Sequence, residues 1–163
     1  MREKKALILP VVSLGAEYLT IGHLMRRNIL AYKAPPNNEG YDLICIHPDP
    51  RKVTKQIRVQ VKSRYQTDCD RGFPIKERTI GAFDYLIIAF LNIGYFYWKR
   101  PVIEGPREPE FYTLPTKFIR NHYRKVDSGF DKVLTKGLDL DAYKNERGFD
   151  LIAGELDIPY PSR

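Results

Sequence analysis

The chain has 163 residues, 43% hydrophobic and 29% charged. That composition predicts a soluble globular protein with length for one domain and a core, and it excludes a disordered chain. A net charge of +7 fits a polyanionic partner, and no stretch approaches the length of a membrane span.

The opening residues MREKK and ALILPVVSLGA imitate a secretory leader. Glu3 in the basic part and Pro10 in the apolar part argue against one. Ser13 is a candidate helix N-cap, and GAEYLTIGHLMRRNI follows it. Tyr18, Ile21, Leu24, Met25 and Asn28 fall at helical spacing and predict the inward face. LAYKAP then leads to a turn-rich loop, PPNNEG.

Residues 41–47 and 56–63 read as two strands, separated by the polar, proline-bearing HPDPRKVTKQ. Residues 65–81 are polar and glycine-bearing and predict a loop. FDYLIIAFL, residues 83–91, predicts a buried strand, with YFYW at 95–98 as its expected hairpin partner. FYTLP is a further short strand ended by Pro115. Thr116 is a candidate cap for a helix to about residue 124. GLDLDAYKNERG predicts a last short helix, with Asp139 near its start and Gly148 beyond its end, and FDLIAGELDI is expected to pack back on the body. The expected fold is α/β (α+β), a mixed central sheet flanked by helices. A single domain is expected over 1–163, with its core at about 13–115 and a C-terminal helical extension at about 116–163.

Charge is uneven along the chain. Residues 1–125 hold 22 Lys/Arg against 12 Asp/Glu, a balance of +10, and residues 126–163 hold 5 against 8, a balance of −3. Nine of the cations lie between Arg51 and Arg78, against three acids. Cys45 and Cys69 form no CxxC pair or Cys/His cluster, so a structural zinc site is not expected. Cys45, in an apolar run, reads as a core residue. With no reason for a disulfide, a reducing cytoplasm is the expected compartment.

Paired residues of an antiparallel hairpin have nearly constant summed numbers. Folding 40–63 about Arg51 therefore sets Asp42 beside Gln60 and Lys62. Glu17 shares a helical row with Ile21 and Leu24, so a carboxylate lies near the inward side of the first helix. Two carboxylates, a carboxamide and an ammonium suit a hard cation such as Mg²⁺, which takes oxygen ligands and keeps several waters. Asp42 would bind it directly, and the Gln60 side-chain oxygen and the Val61 carbonyl would complete the protein ligands. Lys62 would orient or help deprotonate an attacking water.

SLGAEYLTIGHLMRRN, GYDLICI, IRVQVKS and FDYLIIAF, in that order, resemble the PD-(D/E)xK nuclease superfamily, with its restriction-endonuclease-like core. The resemblance covers roughly residues 13–91, and FYTLP extends it. It implies that Glu17 is the acidic residue of the first helix, Asp42 the strand aspartate and Lys62 the motif lysine. It also implies phosphodiester cleavage in DNA with Mg²⁺ or Mn²⁺, by a homing, restriction or junction-resolving type of enzyme. Gln60 departs from the pattern, standing where Asp or Glu is usual. Some members carry this QxK form, but the loss of a negative charge should weaken metal binding. The alternative is an inactive nuclease-fold module that binds nucleic acid or a protein partner. RNA is not excluded, and a homodimer is left open.

Arg58 and Arg64 flank the motif and are candidate phosphate contacts, and Tyr65 would stack or pack. His23, His47 and His122 are scattered; His23 could border the site. Ser13 and Ser63 have no histidine–acid pairing for nucleophilic hydrolysis. Asp84 reads as a strand-edge cap, and Asp68, Asp70 and Glu77 as solvated loop charges.

Overall fold

A computed structural model describes residues 11–65, 72–93, 106–125 and 132–160. In chain order these form α1 (Val12–Arg26), β1 (Leu30–Lys33), β2 (Leu43–Ile46), β3 (Ile57–Arg64), β4 (Gly72–Pro74), β5 (Tyr85–Phe90), β6 (Glu110–Pro115), α2 (Thr116–His122), β7 (Tyr123–Arg124), β8 (Lys132–Leu134) and α3 (Glu146–Glu155). Single 3-10 turns lie at Pro50–Lys52, Glu77–Thr79 and Asp141–Tyr143. A five-stranded sheet runs β1-β2-β3-β5-β6, and a three-stranded sheet runs β4-β8-β7. The main sheet is mixed: β3 and β5 are parallel, and its other pairs are antiparallel. This is the expected α+β plan.

All six residues of β5, YLIIAF, are buried. A strand apolar on both faces needs a layer on each. Tyr85, Ile87 and Ala89 join Val59 and Val61 of β3 under α1 and α3. Leu86, Ile88 and Phe90 pack with Phe73, Ile119 and Val133, under α2 and the small sheet. Each large aliphatic side chain buried here contributes about 1.5–3 kcal/mol.

The face that α1 buries differs from the one its large residues predict. Ala16, Thr20 and Leu24, four apart, are buried, while Tyr18 is 56% and Met25 51% exposed. Small side chains let the helix lie close to β1 and β3, and the Thr20 hydroxyl is satisfied by the Ala16 carbonyl at 2.8 Å. Ser13 caps nothing. The helix begins at Val12, with no side-chain bond at its N-cap. It ends at Arg26, and the chain leaves it through Asn28, an exposed residue with φ +65°. Arg27 is buried against the C-terminal segment. Its Nε donates to Asp150 Oδ1 at 2.6 Å, and its guanidinium lies 4.5 Å from the Tyr160 ring centre.

Several further expectations need correction. LAYK is strand β1, paired with β2, rather than a lead into a loop. Four residues of alternating exposure give too short a period-2 signal to stand out. The stretch 65–81 contains β4 and a 3-10 turn. The described partner of β5 on its β6 side is Glu110–Pro115, and YFYW at 95–98 lies outside the described residues, as do Asp68, Cys69 and Asp70. Thr116 does not cap α2; its hydroxyl donates to the carbonyls of Phe83 and Asp84 at 2.8 Å. Gly148 lies inside α3, not beyond a helix end. FDLIAGELDI does pack back on the body. Phe149, Ile152, Ala153, Leu156 and Ile158 enter the core beneath α1. Asn145 anchors α3 to β6, its Oδ1 accepting from Phe111 N at 2.9 Å.

Candidate active site

The β2–β3 hairpin folds about Arg51: Leu43 pairs Val59 and Cys45 pairs Ile57. Asp42 stands one residue before β2 and is held by its main chain on both sides. Its N–H donates to Val59 O and its carbonyl accepts from Ala34 N, each at 2.8 Å. Gly40 sets the approach. Its φ is +111°, and a Cβ there would lie 2.5 Å from Ala82 Cβ, so the turn needs glycine.

The Asp42 carboxylate turns across the hairpin. Its Oδ2 accepts from Val61 N at 2.8 Å and from Gln60 Nε2 at 2.7 Å. Gln60 and Lys62 pair in register with Leu86 and Ile88 of β5, so they share the sheet face covered by α2 and the small sheet. Glu17 reaches the same place from α1, on the other face. One cleft of about 350 Å³ is lined by Ser13, Glu17, Asp42, Gln60, Val61, Lys62, Ser63, Arg64 and Pro74. Glu17 of α1, Asp42 just before β2, and Gln60, Val61 and Lys62 of the central strand β3 thus line one cleft.

Glu17 is paired with Lys33 of β1. Lys33 was not legible as part of the site, because its strand was not. Burial lowers the Lys62 pKa below the ordinary lysine value, and the nearby Asp42 charge opposes that shift. A half-buried ammonium with no ion pair among the described residues loses part of its preference for the charged form.

The oxygen set fits a small hard cation. It comprises two carboxylates, the Gln60 carboxamide oxygen and the Val61 carbonyl, and Asp42 Oδ1 takes no hydrogen bond among the described residues. The carboxamide now turns its nitrogen to Asp42, so ligation by Gln60 requires its amide to rotate. Among the described residues no cluster of three or more His, Cys, Asp and Glu gathers as a metal group.

The flanking arginines are already committed. Arg58 forms a fork with Asp84, at 3.2 Å from Nε and 3.0 Å from Nη2, and its backbone N–H donates to Asp84 at 2.8 Å. Asp84 therefore ties β3 to the start of β5. Arg64 borders the cleft, but its guanidinium bonds the Gly72 and Ser63 carbonyls at 2.8 and 3.0 Å and lies over the Phe73 ring. The histidines stand apart. His23 packs against Phe111 and Phe149, His47 Nδ1 accepts from Asp49 N, and His122 stacks on Phe118. Cys45 is buried, which pushes its thiol up to about 12.

No family model matches the sequence, and no curated protein matches it. The structure is similar to that of a bacterial homing endonuclease, at a TM-score of 0.50 and 16% identity, over 89% of this chain and 91% of the other. It is also similar to Hjc, a Holliday junction resolvase of the archaeal hyperthermophile Archaeoglobus fulgidus, at a TM-score of 0.42 and 9% identity, over 73% of this chain and 88% of that one. At 16% identity the likeness to the homing endonuclease is one of fold.

Proposed function

We propose that this chain, which has the fold of the PD-(D/E)xK nucleases, is a metal-dependent endonuclease that hydrolyses phosphodiester bonds in DNA. The observation that carries this reading is the convergence of Glu17, Asp42, Gln60, the Val61 carbonyl and Lys62 on one cleft. Asp42 and Glu17 would hold Mg²⁺ or Mn²⁺, with the Gln60 and Val61 oxygens completing the protein ligands. When bound, such an ion lowers the pKa of water and stabilises charge developing at phosphorus. Lys62 orients the attacking water and offsets phosphate charge, and burial, which lowers its pKa, leaves more of it unprotonated and able to take a proton than an exposed lysine. The water oxygen forms a new bond to phosphorus while one bridging P–O bond breaks.

The test is incubation of supercoiled plasmid and a synthetic four-way junction with Mn²⁺, beside Lys62→Ala. Wild type should cut only with metal. Losing a proton-transfer group should slow cutting by about 10²–10⁴-fold. Calorimetric titration with Mn²⁺ gives an independent readout, which Asp42→Ala should abolish. Equal cutting by wild type and Lys62→Ala would overturn the site.

One observation favours a second reading. Glu17 is engaged by Lys33, and Asp42 by the Gln60 amide nitrogen. The cleft is therefore internally compensated without a metal. An inactive module that binds nucleic acid predicts salt-sensitive DNA binding, with neither Mn²⁺ uptake nor cutting.

A further inference from the structure

The small sheet presents an outward surface that the catalytic reading does not use. Its register sets Pro74 of β4, Lys132 of β8 and Arg124 of β7 in one row across the three strands. Directly opposed residues of paired strands project to the same side. The adjacent row is Phe73, Val133 and Tyr123. Phe73 and Val133 are fully buried, and Tyr123 packs partly buried against the same core. The Pro74–Lys132–Arg124 row therefore faces away from the core. Pro74 and Arg124 are exposed and Lys132 is half-buried.

Pro74 also walls the cleft. The row thus starts at the cleft rim, and its two cations follow at steps of about 4.8 Å, the spacing of paired strands. Neither Lys132 nor Arg124 has an ion-pair partner among the described residues, whereas the adjacent Lys125 is paired with Glu77 at 2.6 Å. No acidic residue stands in the row. Two cations in line with the cleft, unpaired among the described residues, are suited to the repeating charge of a nucleic-acid backbone, which gains affinity by counterion release. Arg58 and Arg64, the cations nearest the motif, are occupied by protein partners.

We propose that the outward face of the β4-β8-β7 sheet, through Lys132 and Arg124, is a phosphate-backbone contact that guides a nucleic-acid strand into the cleft. The nuclease reading supplies the occupant of the cleft; the contact itself needs neither metal nor catalysis.

The experiment is fluorescence anisotropy on a labelled DNA duplex in EDTA, across a salt series. The row variant K132Q/R124Q is compared with wild type and with R26Q/R147Q. Arg26 and Arg147 are exposed on α1 and α3, the helices packed on the opposite face of the main sheet. Each lost phosphate contact should flatten the slope of log affinity on log salt by about 0.9, so the row variant should lose about 1.8. R26Q/R147Q should keep the wild-type slope, and the row variant should bind Mn²⁺ as wild type does. An unchanged slope in the row variant, an equal change in R26Q/R147Q, or no salt-dependent binding by wild type would overturn the proposal. Cutting separates the two readings. Row-dependent binding without cutting supports this contact and sinks the nuclease. Metal-dependent cutting with a row-independent slope does the reverse.

Discussion

Asp42 and Val61 are joined across the hairpin by a hydrogen bond from the Val61 N–H to Asp42 Oδ2 at 2.8 Å. The bond fixes the carboxylate against the residue whose carbonyl is a candidate metal ligand, so one side chain has both a structural and a chemical role. Substitutions can part the two. Asp42→Ala leaves the Val61 N–H and the Gln60 amide without their acceptor, at a cost of about 1–3 kcal/mol. Asp42→Asn keeps an acceptor oxygen and should cost clearly less. Both should lose Mn²⁺ binding. Urea unfolding and calorimetric titration check the pair, and metal binding retained by Asp42→Asn would count against the ligand assignment.

Gln60→Glu should reverse its effect with metal. Without metal, the new carboxylate would stand where the amide nitrogen is now 2.7 Å from Asp42 Oδ2, and two such anions repel. The melting temperature in EDTA should therefore fall below wild type. With Mn²⁺ the added charge becomes a ligand, and the thermal shift should exceed that of wild type, since a ligand stabilises the state that binds it. Differential scanning calorimetry in the two buffers decides it. A variant equally destabilised in both would remove Gln60 from the metal site.

Much of this site was legible because it rests on local rules. The summed register of the hairpin places Asp42 beside Gln60, and the Leu43–Val59 pairing bears that out. The all-apolar YLIIAF announces a doubly covered strand. What was not legible depended on approach distance. The inward face of α1 is set by how closely it lies on the sheet, so Ala16 and Thr20 are buried while Tyr18 faces out. Lys33 was missed with its short strand. Arg58 and Arg64 looked like free cations because their partners, Asp84 and the Gly72 carbonyl, come from 26 and 8 residues away.

Asp84 should make the fold acid-sensitive. Burial raises its pKa, but the Arg58 side-chain and backbone hydrogen bonds, with the guanidinium charge, outweigh that and hold it below the ordinary aspartate value. A carboxyl depressed in the folded state contributes stability above its unfolded pKa and loses it as pH falls through the folded one. The stability difference between wild type and Asp84→Asn should therefore be full at neutral pH and narrow only below about pH 4. Its size should be about 1 kcal/mol, because both partners are more than a third exposed and screened by solvent. Urea melts between acidic and neutral pH test this, and a difference that widens on acidification would refute it.

Two glycines of α3 should respond in opposite directions to the same substitution. Gly148 is buried where α3 crosses β6, and a Cβ there would meet the Tyr143 carbonyl oxygen and lie 2.8 Å from Thr113 Oγ1. The Tyr143 oxygen is backbone, and the Thr113 side chain is buried in β6, so neither neighbour can yield cheaply. Gly148→Ala should cost about 3 kcal/mol through overpacking. Gly154 is exposed and has nothing within 4 Å of the added Cβ. Gly154→Ala should stabilise by roughly 0.5 kcal/mol, by restricting the unfolded chain and favouring helix. Denaturation midpoints of the two variants measure the contrast. If Gly148→Ala were as benign as Gly154→Ala, the close crossing of α3 and β6 would be wrong, and with it the docking of Asn145 on Phe111.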